Sequence, residues 1–169
     1  MSQATLPAAF QLLSATESTH YDSFKTLLQE YAERDLADPT HSSIWRDMAQ
    51  LPGRYAPPHG QVLLAYRDGE LVGCGAFVAT PTLALAEIKR VYVRPAYRRQ
   101  GLARLLTLAL AEQARQCAFQ MAGVCTWPHN TAALTLYQQL GFVPIASFRE
   151  PDKAHLVFLG LPLAQADAT

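Results

Sequence analysis

One stretch of the chain, residues 91–103, restricts the fold more than any other. The β-branched and aromatic run Val91-Tyr92-Val93 predicts a strand, which ends before Pro95 because proline cannot donate a hydrogen bond to a sheet. A basic loop follows, and from Leu102 onwards the residues are strong helix formers. The sequence therefore predicts a strand, a tight loop and a helix N-terminus in direct succession.

The loop has the composition of an anion-binding site. The first N–H groups of a helix have no internal partner, and the helix dipole is positive at that end. Gly101 has no Cβ, so a phosphate can approach the backbone closely there, and Ala103 is nearly as small. Arg98 and Arg99 add positive charge. The alternative from these residues alone is a basic surface turn before an ordinary helix.

Two familiar phosphate-binding motifs are excluded by the sequence. A P-loop requires a Gly-Lys-Ser/Thr run, which does not occur. A dinucleotide fingerprint requires three glycines, but Gly73 and Gly75 are followed by Val78 where the third should stand.

Composition narrows the class of protein and of partner. The chain has 169 residues, 50% of them hydrophobic, and we expect a single globular domain over residues 1–169. A net charge of zero argues against nucleic acid or an anionic membrane as the main partner. There is no signal-peptide pattern and no apolar run of transmembrane length.

Cysteine and histidine spacing gives no sign of a disulfide or a metal site. Cys74, Cys117 and Cys125 are odd in number and lack a CxxC pair, so we expect buried thiols in a reducing cytoplasm. The histidines show no metal-ligand spacing, and no metal is predicted.

Periodicity and turn signals predict alternating strands and helices. Asp68-Gly69 is a strong two-residue hairpin signal, and Gly141 stands where a helix ends. Helices are predicted to begin near Thr16, Ile44, Leu102 and Asn130. Strands are predicted over residues 10–13, 61–67, 70–78, 83–93, 121–126, 142–145 and 155–159. The third helix is predicted to face the sheet with Leu102, Leu105, Leu106, Ala109 and Gln113.

The loop pattern Arg98-x-x-Gly101-x-Ala103, the order of elements and a second motif downstream resemble the GNAT (Gcn5-related N-acetyltransferase) superfamily. The second motif is Asn130, Ala133, Tyr137 and Gly141-Phe142, and the resemblance is clearest from Gln61 to Leu159. It implies an α+β fold. A mixed, mostly antiparallel central sheet is flanked by helices and splays apart at its central parallel strand pair.

The resemblance implies acetyl-CoA as a co-substrate. Its pyrophosphate would lie on the loop formed by Arg98, Arg99, Gln100, Gly101, Leu102 and Ala103. Its pantetheine arm would lie between the splayed strands, against the backbone of Val91, Tyr92 and Val93 and beside Asn130. The implied reaction is direct transfer of the acetyl group to a primary amine in a ternary complex.

Two residues are implied in the chemistry. Backbone N–H near Tyr92 would polarise the thioester carbonyl, and Tyr137 would protonate the leaving sulfur. Tyr137 follows Asn130 by two helical turns, so both side chains share a face. Helical spacing alone would make Tyr137 an ordinary packing residue.

The sequence leaves open which residue acts as the general base. Glu87 could take the amine proton through water, or it could form a structural ion pair with Lys89 or Arg90, or contact an acceptor ammonium. His129 could relay protons, but we favour a solvated loop residue. Four further residues could line the acceptor site, but we favour packing or loop anchoring for each: Trp45, Tyr31, Arg54 and Tyr55.

Two classes of function follow from these residues. The leading one is an acetyl-CoA-dependent N-acetyltransferase acting on a small-molecule or peptide amine. The alternative is a non-catalytic acyl-CoA-binding sensor or interaction module. The acceptor and the use of other acyl groups are not determined by the sequence, and a homodimer is left open.

Overall fold

The computed structural model describes residues 9–36, 38–40, 42–149 and 155–165. The helices are α1 (Ser18–Arg34), α2 (Ile44–Ala49), α3 (Leu102–Gln116) and α4 (Thr131–Gln139). The strands are β1 (Gln11–Ser14), β2 (Gly60–Arg67), β3 (Glu70–Ala79), β4 (Leu85–Val93), β5 (Met121–Thr126), β6 (Val143–Pro144) and β7 (Val157–Pro162). Short 3-10 turns cover Gly53–Tyr55 and Pro95–Tyr97.

The strands form one seven-stranded sheet in the order β1-β2-β3-β4-β5-β7-β6. All pairs are antiparallel except β4 with β5, which confirms the predicted mixed and mostly antiparallel sheet. The predicted hairpin joins β2 and β3, where Asp68 and Gly69 adopt φ of 51° and 78°. These positive φ values fit the right-handed twist of the two strands.

Helix α3 covers one face of the sheet. Leu102, Leu106 and Leu110 are fully buried in the core on this face, as helical spacing predicts. The prediction that Leu105 faces the sheet is wrong, because its side chain is 40% exposed. Thr107 is buried instead, and its hydroxyl donates a hydrogen bond to Ala103 O at 2.8 Å, so this buried polar group has a partner.

Helices α1 and α2 cover the opposite face. Phe24, Leu27 and Leu28 of α1 and Ile44 of α2 are completely buried there. Tyr92 of β4 belongs to the same cluster, so β4 contributes side chains to both cores.

Strand β4 contains a bulge that changes which face its residues occupy. Its alignment with β3 shifts by one residue between Lys89, opposite Ala76, and Tyr92, opposite Cys74. Arg90 lies at the bulge with φ of 61°. Lys89 and Arg90 therefore both reach Asp47 of α2, although consecutive strand residues normally point to opposite faces.

The parallel ladder between β4 and β5 is short. It aligns Leu85 with Met121, Ala86 with Ala122 and Glu87 with Gly123, and then the strands diverge. The predicted splay of the central parallel pair is therefore confirmed. Residues 88–93 of β4 keep one edge free of β5.

Several predicted boundaries and burials are wrong. Strand β4 starts at Leu85 rather than residue 83, and the Leu83 side chain is 95% exposed. Strand β6 has only two residues, and β7 runs over 157–162 instead of 155–159 because it follows β5 from Thr126 to Met121. Cys117, predicted to be buried, is exposed. Among the described residues, no helix has both the length and the apolar character needed to cross a membrane.

Candidate active site

The predicted anion loop joins β4 to α3 through two residues with left-handed backbone. Arg99 has φ of 62° and Gly101, the N-cap of α3, has φ of 81°. Such a turn directs successive N–H groups into one concavity. The first helical bond of α3 runs from Leu105 N to Gly101 O, so the N–H groups before Leu105 lie at the open N-terminus.

Two polar side chains of this loop have protein partners. Arg98 donates through Nε to Val93 O at 2.8 Å and pairs with Asp35, at the end of α1, at 2.8 Å. Gln100 accepts a hydrogen bond from Arg67. These contacts fix the position of Arg98 at the mouth of the loop, where 41% of its side chain is exposed. Arg99 is exposed.

A cleft of about 330 Å³ lies between this loop and α4. Most of the predicted cofactor-binding residues line it, together with Asp35 of α1 and Leu136 of α4. These predicted residues are Val91, Tyr92, Val93, Arg98, Arg99, Gly101, Leu102 and Ala103. Gln100 and Asn130 are not among the lining residues.

The free edge of β4 forms one wall of the cleft. Tyr92 and Val93 align with Cys74 and Gly73 of β3, so alternate backbone groups of β4 point away from β3. The Tyr92 ring is buried, and its hydroxyl donates to Glu30 Oε2 of α1 at 3.3 Å. Glu30 also pairs with Arg94 at 2.8 Å, which fastens α1 to the end of β4.

Tyr137 lies on α4, with its ring packed against Phe142 at 5.5 Å between centroids. Burial, with smaller contributions from Tyr31, Cys125 and Glu87, raises the pKa of its phenol to about 12. The two predicted catalytic residues, Tyr137 and Glu87, are not among the residues that line the cleft, although Leu136, the neighbour of Tyr137 in α4, is.

Glu87 is buried, with 5% of its surface exposed. Its Oε2 accepts a short hydrogen bond from Arg149 and a weak one from the Cys125 thiol at 3.7 Å. Of the alternatives left open for Glu87, the ion pair with Lys89 or Arg90 is not formed, because both of these side chains contact Asp47. Arg149, in the segment before β7, is the partner that sequence reasoning missed.

Asp47 is a buried carboxylate that joins α2 to β4. It accepts hydrogen bonds from Tyr55 at 2.5 Å, Arg90 at 2.8 Å and Arg54 at 3.0 Å, and Lys89 Nζ lies at 4.0 Å. Burial opposes its ionisation, but the hydrogen bonds from Tyr55 and Arg90 prevail and lower its pKa. A signal was present in the sequence, because Asp47 falls on the apolar stripe of α2 between Ile44 and Met48.

Tyr55 and Arg54 are therefore both hydrogen-bond partners of Asp47. Tyr31 packs its ring on Tyr92 with 5.8 Å between centroids, beside the cleft. Trp45 is partly exposed and donates from Nε1 to Pro39 O at 2.5 Å.

Asn130 is the N-cap of α4. Its Oδ1 accepts from Ala133 N at 3.3 Å, and its amide donates to Thr126 Oγ1 at 3.2 Å. This is the ordinary capping role of asparagine, which leaves the predicted contact with the pantetheine arm as a prediction. His129 stacks on the exposed ring of Trp127, which also contacts His155.

No group of three or more His, Cys, Asp or Glu side chains within the described residues is arranged to hold a metal ion. A sheet that opens between its one parallel strand pair, with a cleft leading to a helix N-terminus, is the architecture of acyl-CoA N-acyltransferases.

The comparisons with known proteins agree with this architecture. The Acetyltransferase (GNAT) family profile matches residues 21–142, and the chain belongs to that family of acetyltransferases. It is 30% identical over 153 residues to an IAA acetyltransferase of Azospirillum brasilense, covering 88% of this chain and 96% of the relative. An uncharacterized N-acetyltransferase of Schizosaccharomyces pombe is 28% identical over 145 residues, covering 85% and 89%.

A solved structure shares the fold. The yncA protein of Salmonella typhimurium, solved with its cofactor acetyl-CoA, superimposes with a TM-score of 0.73 at 19% identity. The match covers 96% of this chain and 98% of that protein.

Proposed function

We propose that this acetyltransferase moves the acetyl group of acetyl-CoA directly to a primary amine within a ternary complex. The observation that carries the proposal is the divergence of β4 from β5 immediately after Glu87, which leaves the stretch of β4 that lines the cleft, residues 91–93, free of β5. Membership of the GNAT family and the acetyl-CoA complex of the Salmonella protein support the choice of cofactor.

The loop and α3 would hold the pyrophosphate of acetyl-CoA. The N–H groups at the start of α3 and the left-handed residues Arg99 and Gly101 offer hydrogen-bond donors to its oxygens. The exposed Arg99 supplies charge. Arg98 adds charge at the same mouth, where its guanidinium is shared with Asp35.

The pantetheine arm would follow the free edge of β4. Backbone groups of Val91, Tyr92 and Val93 that are not hydrogen-bonded to β3 are available to the arm, as they would be to an added strand. One of these acceptors, Val93 O, already accepts a hydrogen bond from Arg98 Nε. The arm would bring the thioester to the point where β4 leaves β5.

Attack requires a neutral amine. Glu87 would accept the amine proton through a water molecule, since its carboxylate is buried at the splay and keeps acceptor capacity beyond its Arg149 and Cys125 contacts. The amine nitrogen then forms a bond to the carbonyl carbon. The carbon–sulfur bond breaks, and the electron pair leaves on sulfur.

Tyr137 would stabilise the leaving thiolate. Its pKa of about 12 keeps the phenol protonated at neutral pH, so it can donate a hydrogen bond. A thiol titrates near 8.5, so full proton transfer from this phenol would cost roughly 5 kcal/mol. The expected role is therefore a hydrogen bond that strengthens as charge develops on sulfur, and the thiolate takes its proton from solvent water as it leaves.

Release of free thiol from acetyl-CoA, measured over a panel of primary amines, tests the proposal. Amine-dependent thiol release with acetylated amine as product is the expected result. Binding of acetyl-CoA without turnover of any amine would instead favour a non-catalytic acyl-CoA sensor.

A cytoplasmic location belongs to the same proposal, since Cys74, Cys117 and Cys125 are all free thiols.

A further inference from the structure

Among the described residues, cations outnumber carboxylates around the site where the acceptor amine would bind. Asp47 is contacted by Arg54, Lys89 and Arg90, and Glu87 is contacted by Arg149. Four basic side chains thus share two carboxylates. Of these, Lys89 and Arg90 are only 9% exposed, so solvent does little to compensate their charge.

Lys89 is the least satisfied member of this cluster. Its nearest carboxylate, Asp47, lies at 4.0 Å and already accepts hydrogen bonds from Tyr55, Arg90 and Arg54. Burial is the main cause that lowers the pKa of Lys89 to about 7; the charge of Glu87 opposes this shift, and the charges of Arg90, Arg54 and Arg149 add to it.

Arg90 and Arg149 also have unused donor capacity. Arg90 donates from Nη2 to Ser43 and Asp47, but its buried Nε has no hydrogen-bond partner among the described residues. Arg149 is 27% exposed, and its hydrogen bond to Glu87 among the described residues is donated by Nη2 only. A planar guanidinium open on one side is suited to a carboxylate.

We propose that the acceptor is an amine that also carries a carboxylate, of the amino-acid type, with its carboxylate bound by Lys89 and Arg149. This inference rests on the proposed function, because it takes Glu87 as the group beside the acceptor amine. The anionic end of the acceptor would supply the negative charge that the cluster lacks.

The spacing within β4 fits a small acceptor. Glu87 and Lys89 are two residues apart before the bulge and share a face, so their Cα atoms lie about 6.7 Å apart. Both side chains can therefore reach one small molecule, with its amine toward Glu87 and its carboxylate toward Lys89. Polyamines and lysine-rich peptides would instead bring further positive charge against Lys89, Arg90 and Arg149.

The experiment compares matched acceptors that differ only in charge. Amino acids and their carboxamides are assayed by thiol release, and kcat/KM is expressed per concentration of neutral amine to remove the difference in amine pKa. We expect the carboxylate form to be preferred by about tenfold to a hundredfold, the range for loss of a hydrogen bond to a charged group.

Variants identify the residue responsible. Lys89→Met keeps the length of the side chain and removes its charge, and should reduce the preference for the acid over the carboxamide about tenfold, mainly through KM for the acid. Lys89→Arg should retain the preference. Lys25→Met removes the same charge from an exposed site on α1 and should leave both acceptors unchanged.

The outcomes separate this inference from the proposed function. If the wild-type enzyme acetylates carboxamides as well as it acetylates acids, the inference is overturned and the proposed function stands. The same holds if folded Lys89→Met keeps the full preference. If no amine of either kind releases thiol, the proposed function fails and the inference fails with it. A melting curve shows whether each variant is folded. The comparison of acids with carboxamides on the wild-type enzyme tests the inference without any variant.

Discussion

Glu87 lies opposite Gly123 in the last aligned pair of the parallel β4–β5 ladder. A Cβ on Gly123 would lie 2.8 Å from the ring of Phe148 and 3.0 Å from Leu85 Cδ2, so any larger residue would require these side chains to shift. Immediately beyond this pair the strands part. The buried carboxylate therefore lies where the sheet opens, which is why the same residue can serve both the fold and the proposed chemistry.

Gly101→Glu should abolish binding of acetyl-CoA. The substitution places a carboxylate at the N-terminus of α3, where it would repel the pyrophosphate, and strains a residue with φ of 81°. The wild type should show a melting temperature that rises with acetyl-CoA concentration, and the variant should not.

Gly69→Glu is a matched control for that experiment. Gly69 has φ of 78°, and a Cβ at either glycine meets no atom within 4 Å. The control should lose a similar amount of stability, about 1–2 kcal/mol, and keep the acetyl-CoA shift. An unchanged shift in folded Gly101→Glu would show that the cofactor lies elsewhere.

Tyr137→Phe should lower kcat by roughly ten- to a thousandfold. The ring and its packing on Phe142 are kept, and only the hydroxyl that faces the leaving sulfur in the proposed mechanism is removed. KM for acetyl-CoA and the melting temperature should change little, because the lost interaction develops in the transition state. Single-turnover kinetics check this independently of product release, and a wild-type rate would exclude Tyr137 from the chemical step.

Glu87→Gln should remove the acidic limb of the pH profile of kcat/KM and lower its plateau. The amide keeps the size of the side chain but cannot accept the amine proton. A purely structural Glu87 would give a different result, namely a less stable protein with unchanged activity per folded molecule. The pH profile and a urea denaturation curve of the same preparation distinguish these results.

Asp47→Asn should destabilise the fold by about 3–5 kcal/mol, because it leaves Arg90 charged and buried without its carboxylate. The hydrogen-bonded carboxylate has a lowered pKa, so its stabilisation is present above the unfolded value near 4 and is lost as the pH falls through the folded value. The free energy of unfolding, measured between pH 7 and pH 3, should therefore fall less steeply in the variant than in the wild type.

Asp22→Asn, at an exposed position of α1, is the control for that measurement. It should leave both the stability at pH 7 and its acid dependence close to those of the wild type. An Asp47→Asn protein as stable as the wild type would show that Arg90 and Lys89 do not depend on this carboxylate.

The parts of the fold that local chemistry dictates could be predicted from the sequence. Asp68-Gly69 specifies the β2–β3 turn because these residues accept positive φ, and β5 was predicted with its observed bounds. The anion loop could also be predicted, since Pro95, Gly101 and the helix formers after it act over a few residues.

The pairing of charges could not be predicted in the same way. Arg98 was expected to face an anion and contacts Asp35, which lies 63 residues earlier in the chain. One alternative left open for Glu87 was an ion pair with a neighbour on its own strand, and it pairs with Arg149, 62 residues later. A charged side chain has many partners of opposite sign in the sequence, and only chain topology brings one of them within reach.

The sequence by itself determined the order of strands, turns and helices, including the tight loop between β4 and α3, because these depend on backbone preference and on side-chain chemistry. The binding and catalytic roles of the site residues stay predictions. Only the tertiary structure decided the bulge at Arg90, the end of the β4–β5 ladder at Glu87 and the cation-rich cluster around Asp47. Each of these arises from packing between segments distant in the sequence, where small shifts of register change which side chains meet.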